Sequence, residues 1–481
     1  MLDNKSFLVV FLQLVQTLLV ASTAIFTTYL LGVEDYGRFV YLITAASILP
    51  LFAGLGSEHV FIMKASRCPK LIPVLFGNAL FIRVVITIVS ILFIAILLAV
   101  FSLEDFRTSI LIATGSLLAV FANPLFLSFY RVKGLHLRPW LINFISPIIF
   151  LVYLLLISDN NSKLLWVSLG FCFSHTIAFI VFLVDIRKII KPIISFRYIR
   201  KHFKLGFVFS VSQGFDFAFS RVDIFLLQFI SGPSAVGIYA AGQKIITLLQ
   251  VIPSSFHIVE LPEFHRISSN ASLLKAKFRS LRKLLLEFGI IFFGVFILNA
   301  NFIIELLYSK EFYDAAAILK LLSISGLLLF VNYPYYMLAE AINKIKQRMY
   351  MRIITFVITV ALVYVFIILF GSPGAAVGLI IGQVIFMLLL HLITQPLNGG
   401  VSALIRDFAM LLMAAPVFAL GLCVQSLFEN EIVILISGSG IFLLIFLLVG
   451  SYSGMLEFPK MAKRRLRRYL AAFKTESDSN D

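Results

Sequence analysis

The sequence predicts an all-α polytopic membrane protein of about 14 transmembrane helices, and three observations lead there. Hydrophobic residues make up 60% of the 481-residue chain and charged residues 13%, against about 25% charged in an ordinary soluble domain. The hydrophobic residues gather into continuous runs without ten-residue alternation. That selects helices over barrel strands, because lipid offers no partner for an open backbone. Of the 40 Lys and Arg, 32 fall on the side that a cytoplasmic N-terminus places inside and four (Arg38, Arg107, Lys163, Lys310) on the other. This is a strong positive-inside bias. An even number of spans then puts both termini in the cytoplasm, and the net charge of +16 belongs to lipid headgroups rather than to nucleic acid.

A helix needs about 20 mainly apolar residues to cross about 30 Å of hydrocarbon. Residues 1–184 supply six such runs, at 7–30, 39–62, 74–101, 108–130, 140–158 and 164–184. The first is long enough to span and lacks a small-residue cleavage site, so it reads as a helix rather than a removable signal. Residues 185–205 interleave Ile and Phe with seven basic residues, as in a helix lying flat at the headgroups. This stretch is a basic amphipathic cytoplasmic linker. Topology and anchoring account for it, and a grip on an anionic lipid headgroup is the functional alternative. Residues 206–395 supply six more runs, at 206–230, 238–261, 284–307, 316–339, 350–370 and 375–395. Residues 396–456 add two, at 408–427 and 431–453, and 457–481 form a basic, then polar, cytoplasmic tail. Outer loops are too short for a folded domain. Cys68, Cys172 and Cys423 suggest core residues, not a disulfide framework.

The two sets of six runs repeat one another. Gly32 and Gly37 close the first turn, and Gly232 and Gly237 close another with the same spacing 200 residues later. Phe121, Asn123 and Pro124 interrupt one run, and Phe330, Asn332 and Pro334 another, at an offset of 209 to 210. The expectation is two pseudo-symmetric six-helix lobes plus two C-terminal helices. Chains built this way commonly move a substrate through the seam between the lobes. Pro124, Pro147, Pro253 and Pro334 lie at membrane depth and are expected to kink or break their helices.

Ionisable groups inside a span demand a partner or a cavity. Asp216, Arg221 and Asp223 fall in span 7 and Lys244 in span 8. In an antiparallel hairpin Asp223 and Lys244 reach one depth and are expected to pair. Asp216 and Asp223, seven apart, are expected on one helix face, so Arg221 points elsewhere, into a cationic path. Two readings of Arg83 stay open: it snorkels if residues 71–82 form an interfacial elbow, and otherwise it faces the lumen. His175, near the middle of span 6, reads either as a neutral packing residue or as a proton-carrying one. Glu58 with His59, and His257 with Glu260, sit at repeat-equivalent inner ends, where interfacial solvation and gating are the alternatives.

The sequence contains no Walker sequence, H-E-x-x-H or G-x-S-x-G. An ATP-driven pump would need its motor from a partner chain. A membrane enzyme would commonly carry a large outer loop or a cytoplasmic catalytic domain.

Three stretches carry a resemblance that, with the span count, covers nearly the whole chain. Leu31-Gly-Val-Glu-Asp-Tyr-Gly-Arg-Phe39 resembles the turn after span 1 of polysaccharide repeat-unit exporters. Arg221-Val-Asp-Ile-Phe-Leu-Leu with Val236-Gly-Ile-Tyr-Ala-Ala-Gly-Gln-Lys244 resembles their span 7–8 signature, and Tyr308-Ser-Lys-Glu-Phe-Tyr-Asp-Ala-Ala316 their turn before span 10. The resemblance implies a Wzx-type (O-antigen) flippase of the MATE-like MOP superfamily in the bacterial inner membrane. Such a protein carries undecaprenyl-pyrophosphate-linked oligosaccharide by alternating access through a cationic cavity. Substrate-binding roles are then implied for Arg221 and Lys244, and more weakly for Arg83. An ion-pairing or coupling role is implied for Asp223, and Asp216 and His175 are the further candidates for that role on their position in the spans alone. The resemblance implies no cofactor, beyond coupling to a proton or sodium gradient. The implied partners are anionic lipids and the polysaccharide polymerase and chain-length proteins. A MATE-like small-molecule exporter and a membrane enzyme are the alternatives.

Overall fold

The computed structural model describes residues 4–53, 68–100, 106–135, 137–157, 162–196, 214–395 and 397–400, with Phe61, Lys64, Ala65 and Ser402. The expected spans 13 and 14, the tail at 457–481, and Glu58, His59 and Cys423 lie outside them. Among the described residues all regular structure is helical, and nine helices are long and apolar enough to cross a membrane. The protein is an all-α, multi-pass membrane protein. Ile88, Val89, Leu92 and Ile96 on one helix, and Val357, Val365, Ile368 and Leu369 on another, are exposed, as lipid-facing side chains are.

The described residues fall into two compact units. The first takes its residues from Met1–Leu248, Leu307–Ala315 and Arg352–Leu379, the second from Leu249–Leu306, Ala316–Met351 and Ile380–Asp481. In the first unit lie α1 (Asn4–Ala53), α2 (Ile72–Val100), α3 (Phe106–Val132), α4 (Arg138–Asn143), α5 (Ile145–Leu156), α6 (Lys163–Ile189), α7 (Val222–Ser231) and nearly all of α8 (Pro233–Leu249). α1 is two helices joined at Gly32, whose φ of 73° and ψ of −176° are open to glycine and costly for other residues. Gly232, between α7 and α8, adopts φ 81° and ψ −179°. The two turns that repeat in sequence thus repeat in conformation.

They also pack on each other. A Cβ on Gly37 would overlap the Pro233 carbonyl, and one on Gly237 would overlap the Val33 carbonyl. Position 33 is to 233 as 37 is to 237, so the contact is reciprocal about a local two-fold axis. Close backbone approach through small residues is how helices associate where lipid removes the hydrophobic drive.

The core of this unit joins Phe76 of α2, Phe126, Phe129 and Tyr130 of α3 and Phe182 of α6, with Phe61. The start of the linker is tied to α2: the Ile193 N–H donates to the Pro73 carbonyl at 3.0 Å and the Ser195 N–H to Asn78 Oδ1 at 2.7 Å. Residues 190–195 carry no regular structure. Their described part is therefore not the flat helix that the Ile and Phe spacing suggests, because its amides are engaged by α2.

The second unit contains α9 (Val251–Arg266) and α10 (Ala271–Leu307), nearly all of α11 (Ala315–Ala341), and parts of α12 (Ile345–Phe370) and α13 (Ser372–Ile393). Its core includes Phe264, Phe278, Leu285, Ile290, Phe330 and Tyr335. Two of the four prolines coincide with breaks. Pro147 and Pro253 each stand three residues after an interruption, at Phe144 between α4 and α5 and at Gln250 between α8 and α9, as the missing proline N–H requires, whereas α3 runs on through Pro124 and α11 through Pro334. Further breaks fall at Gly32, Gly232, Asn299 (φ −113°, ψ 16°) and Ser220–Arg221.

Candidate functional site

The break at Ser220–Arg221 shapes the site. Residues 214–219 are helical and α7 begins at Val222, with Arg221 as its N-cap at φ −134°. Asp216 and Asp223 therefore do not share one helix face, as seven-residue spacing on an unbroken helix would have placed them. Asp216 accepts a bond from Arg352 Nε at 2.6 Å, and the same guanidinium lies 4.1 Å over the ring of Phe219.

Asp223 has no solvent exposure. Its Oδ1 accepts the Ile224 N–H at 2.8 Å, and its Oδ2 accepts the Tyr239 hydroxyl at 2.7 Å and Gln243 Nε2 at 2.9 Å. Three donors compensate a carboxylate removed from water. The expected partner, Lys244, is not among them. Lys244 follows Gln243 directly and so leaves the helix in a different direction, away from Asp223. Gln243 in turn accepts Arg221 Nη1 on its Oε1 at 3.0 Å.

Arg221, Gln243 and Lys244 line a cavity of about 400 Å³ within the first unit, inside the range of about 300–1,000 Å³ of ligand-binding cavities. α1 contributes Thr23, Thr27, Thr44 and Ser47, α5 contributes Ser146, and α6 contributes Phe171, His175 and Phe182. The Thr27, Thr44 and Ser47 hydroxyls donate to backbone carbonyls of their own helix, which leaves oxygen lone pairs for a ligand. His175 Nδ1 lies 3.0 Å from Ser146 Oγ, and its ring stands edge-on to Phe171 at 4.5 Å. No Asp or Glu is among the described lining residues. Among the described residues, neither Arg221 nor Lys244 has a carboxylate within ion-pair distance. The lining can bind an anion through Arg221 and Lys244, while the hydroxyl lone pairs can accept from hydroxyl groups of a ligand.

A family model described as "Polysaccharide biosynthesis protein" matches residues 2–268. The chain belongs to that family. The matched stretch takes in the described lining of the cavity, from Gln16 to Thr247. No curated protein matches the chain, but solved structures share its fold. The lipid II flippase MurJ, in an inward closed conformation, is 16% identical with a TM-score of 0.62, over 93% of this chain and 97% of that one. A multidrug resistance MATE family transporter of the MOP superfamily, inward-facing, is 16% identical with a TM-score of 0.66, over 80% and 96%. The Vibrio cholerae MATE transporter VcmN, in the bent form, is 13% identical with a TM-score of 0.58, over 82% and 97%. The chain shares the fold of these three structures.

Of the residues singled out from the sequence, the structure brings Arg221, Lys244 and His175 to the cavity. Asp223 stands directly behind it. Asp216 is engaged by Arg352, and Arg83 is buried on α2 outside the described lining. α2 starts at Ile72, so no separate interfacial elbow spans 71–82. His257 and Glu260 find acidic and basic partners inside the second unit: His257 Nε2 is 3.5 Å from Glu340, and Lys277 Nζ is 2.7 Å from Glu260. Sequence reasoning missed Tyr239 and Gln243. Their four-residue spacing on α8 puts two donors on one face, and that was the available signal.

Proposed function

We propose that this protein is a flippase that carries undecaprenyl-pyrophosphate-linked oligosaccharide repeat units, of O-antigen or a related surface polysaccharide, from the cytoplasmic to the periplasmic leaflet. The carrying observation is a cavity with Arg221 and Lys244 in its wall and no carboxylate among its described lining residues. Fixed cations in a low-dielectric cavity stabilise a pyrophosphate or an acidic sugar far better than they would in water. Hydroxyl and aromatic side chains suit the sugar rings, while the polyprenyl tail stays in lipid. The fold shared with MurJ and MATE transporters and the family's tie to polysaccharide biosynthesis support this reading. In it the protein sits in the bacterial inner membrane with both termini cytoplasmic. It alternates access between two lobes and is coupled to a proton or sodium gradient, with His175 the candidate for coupling. Polymerase and chain-length proteins are its expected neighbours, and the basic linker and tail meet anionic lipid.

The deciding experiment follows lipid-linked oligosaccharide in cells lacking the protein, complemented with wild type or Arg221→Ala. The expected outcome is accumulation on the cytoplasmic leaflet, cleared by wild type and not by the variant. Unchanged flipping and surface glycan in a strain with no redundant flippase would sink the reading.

A further inference from the structure

We propose that Gln243 is a positioning residue that keeps Arg221 available to an anionic ligand by standing between its guanidinium and the buried carboxylate of Asp223. The inference rests on the cavity being an anion site, as proposed above. Its own basis is the chain of bonds Arg221 Nη1 to Gln243 Oε1 at 3.0 Å and Gln243 Nε2 to Asp223 Oδ2 at 2.9 Å. A carboxylate only accepts and a guanidinium only donates. The Gln243 amide, with one acceptor and one donor end, is therefore locked in a single orientation between them.

The lock has two consequences. Asp223 and Arg221 are two residues apart, and the Gln243 amide occupies the place between a guanidinium N–H and a carboxylate oxygen that would otherwise attract each other. A direct ion pair in a low-dielectric site would satisfy the guanidinium and remove it from use by a ligand. With the amide in between, Asp223 polarises the site from behind while one edge of Arg221 is held and its remaining N–H groups are left to the cavity. Tyr239 completes the device. Its hydroxyl on Asp223 Oδ2 shares the carboxylate's charge and keeps it turned toward α8.

The test uses the full-length protein in detergent, titrated with inorganic pyrophosphate at low salt, with a melting curve recorded for each variant. Gln243→Leu is expected to weaken binding about tenfold or more, because Arg221 can then close on Asp223. Adding Asp223→Asn to Gln243→Leu is expected to restore affinity to within about threefold of wild type, since no carboxylate remains to capture the guanidinium. A merely structural glutamine would behave oppositely, the second substitution adding to the damage. Asp223→Asn alone is expected to bind at least as tightly as wild type, and it tests the proposal even if Gln243→Leu fails to fold. Wild-type affinity in Gln243→Leu, no recovery in the double variant, or a tenfold loss in Asp223→Asn would each overturn the role of Gln243 while leaving the anion site intact. If wild type does not bind pyrophosphate, or Arg221→Ala binds it equally well, the anion site itself fails and this inference with it.

Discussion

Asp223 is the residue on which the site's chemistry turns, because it is a fully buried carboxylate whose donors all come from α7 and α8. Asp223→Ala leaves the Tyr239 hydroxyl and the Gln243 amide without their acceptor. The expected cost is about 3 kcal/mol of stability, read as a lowered melting temperature, with Asp223→Asn much closer to wild type. Arg221→Lys keeps the charge but loses the planar fork, so binding of pyrophosphate should weaken while remaining above that of Arg221→Ala. Equal losses in both would mean that guanidinium geometry is irrelevant. At the end of α9, a hydrogen bond from Lys277 and the charges of Lys277 and Arg266 hold the Glu263 carboxyl below the usual carboxylate range. A depressed folded value stabilises above the unfolded value near about 4.3 and is lost as pH falls through the folded one. Melting temperatures measured from neutral pH downward should therefore fall less in Glu263→Gln than in wild type, and the difference should be small because Glu263 is well exposed. Arg221 was legible as a cavity cation because its depth in an apolar run demands a home, whereas the depth of Lys244 pointed to Asp223 as its partner. Gln243 was not legible, because an uncharged amide in a span makes no such demand.

At the scale of elements, the reciprocal seat of the turns at Gly37 and Gly237 is the sharpest constraint. Each glycine meets a carbonyl of the opposite turn where a methyl group has no room, so Gly37→Ala and Gly237→Ala should each cost about 1–3 kcal/mol through overpacking. Gly134 is the control. Its φ of 74° makes alanine strained there, but nothing lies within 4 Å of the added methyl, so Gly134→Ala should cost about 1–2 kcal/mol from the backbone alone. Melting temperatures of the three variants test the comparison, and no loss in Gly37→Ala and Gly237→Ala, which carry no positive φ, would mean that the reciprocal seat contributes nothing. The spacing of these glycines was plain in the sequence, but their mutual contact was not, since a repeat states that two turns are alike and not that they touch. The prolines were legible in part: Pro147 and Pro253 interrupt the helical bonding at Phe144 and Gln250, whereas α3 and α11 run on through Pro124 and Pro334.

For the whole molecule, the sign of the cavity decides between the substrates that this fold serves. A wall with two cations and no described carboxylate repels lipophilic cations. Expression in a drug-sensitive strain is therefore expected to leave accumulation of cationic dyes unchanged. A fall in dye accumulation that vanishes in the Arg221→Ala variant would favour the exporter reading.

The sequence by itself determined that the chain is helical and crosses a membrane many times, because hydrophobic run length and basic-residue asymmetry answer directly to the bilayer. It also marked which charges fall within apolar runs. Only the tertiary structure decided what those charges face. The helix break at Ser220–Arg221 separates Asp216 from Asp223, and the four-residue spacing of Tyr239 and Gln243 gives Asp223 its donors in place of Lys244. Partner choice inside a membrane depends on rotation about each helix axis, which packing sets and hydropathy does not encode.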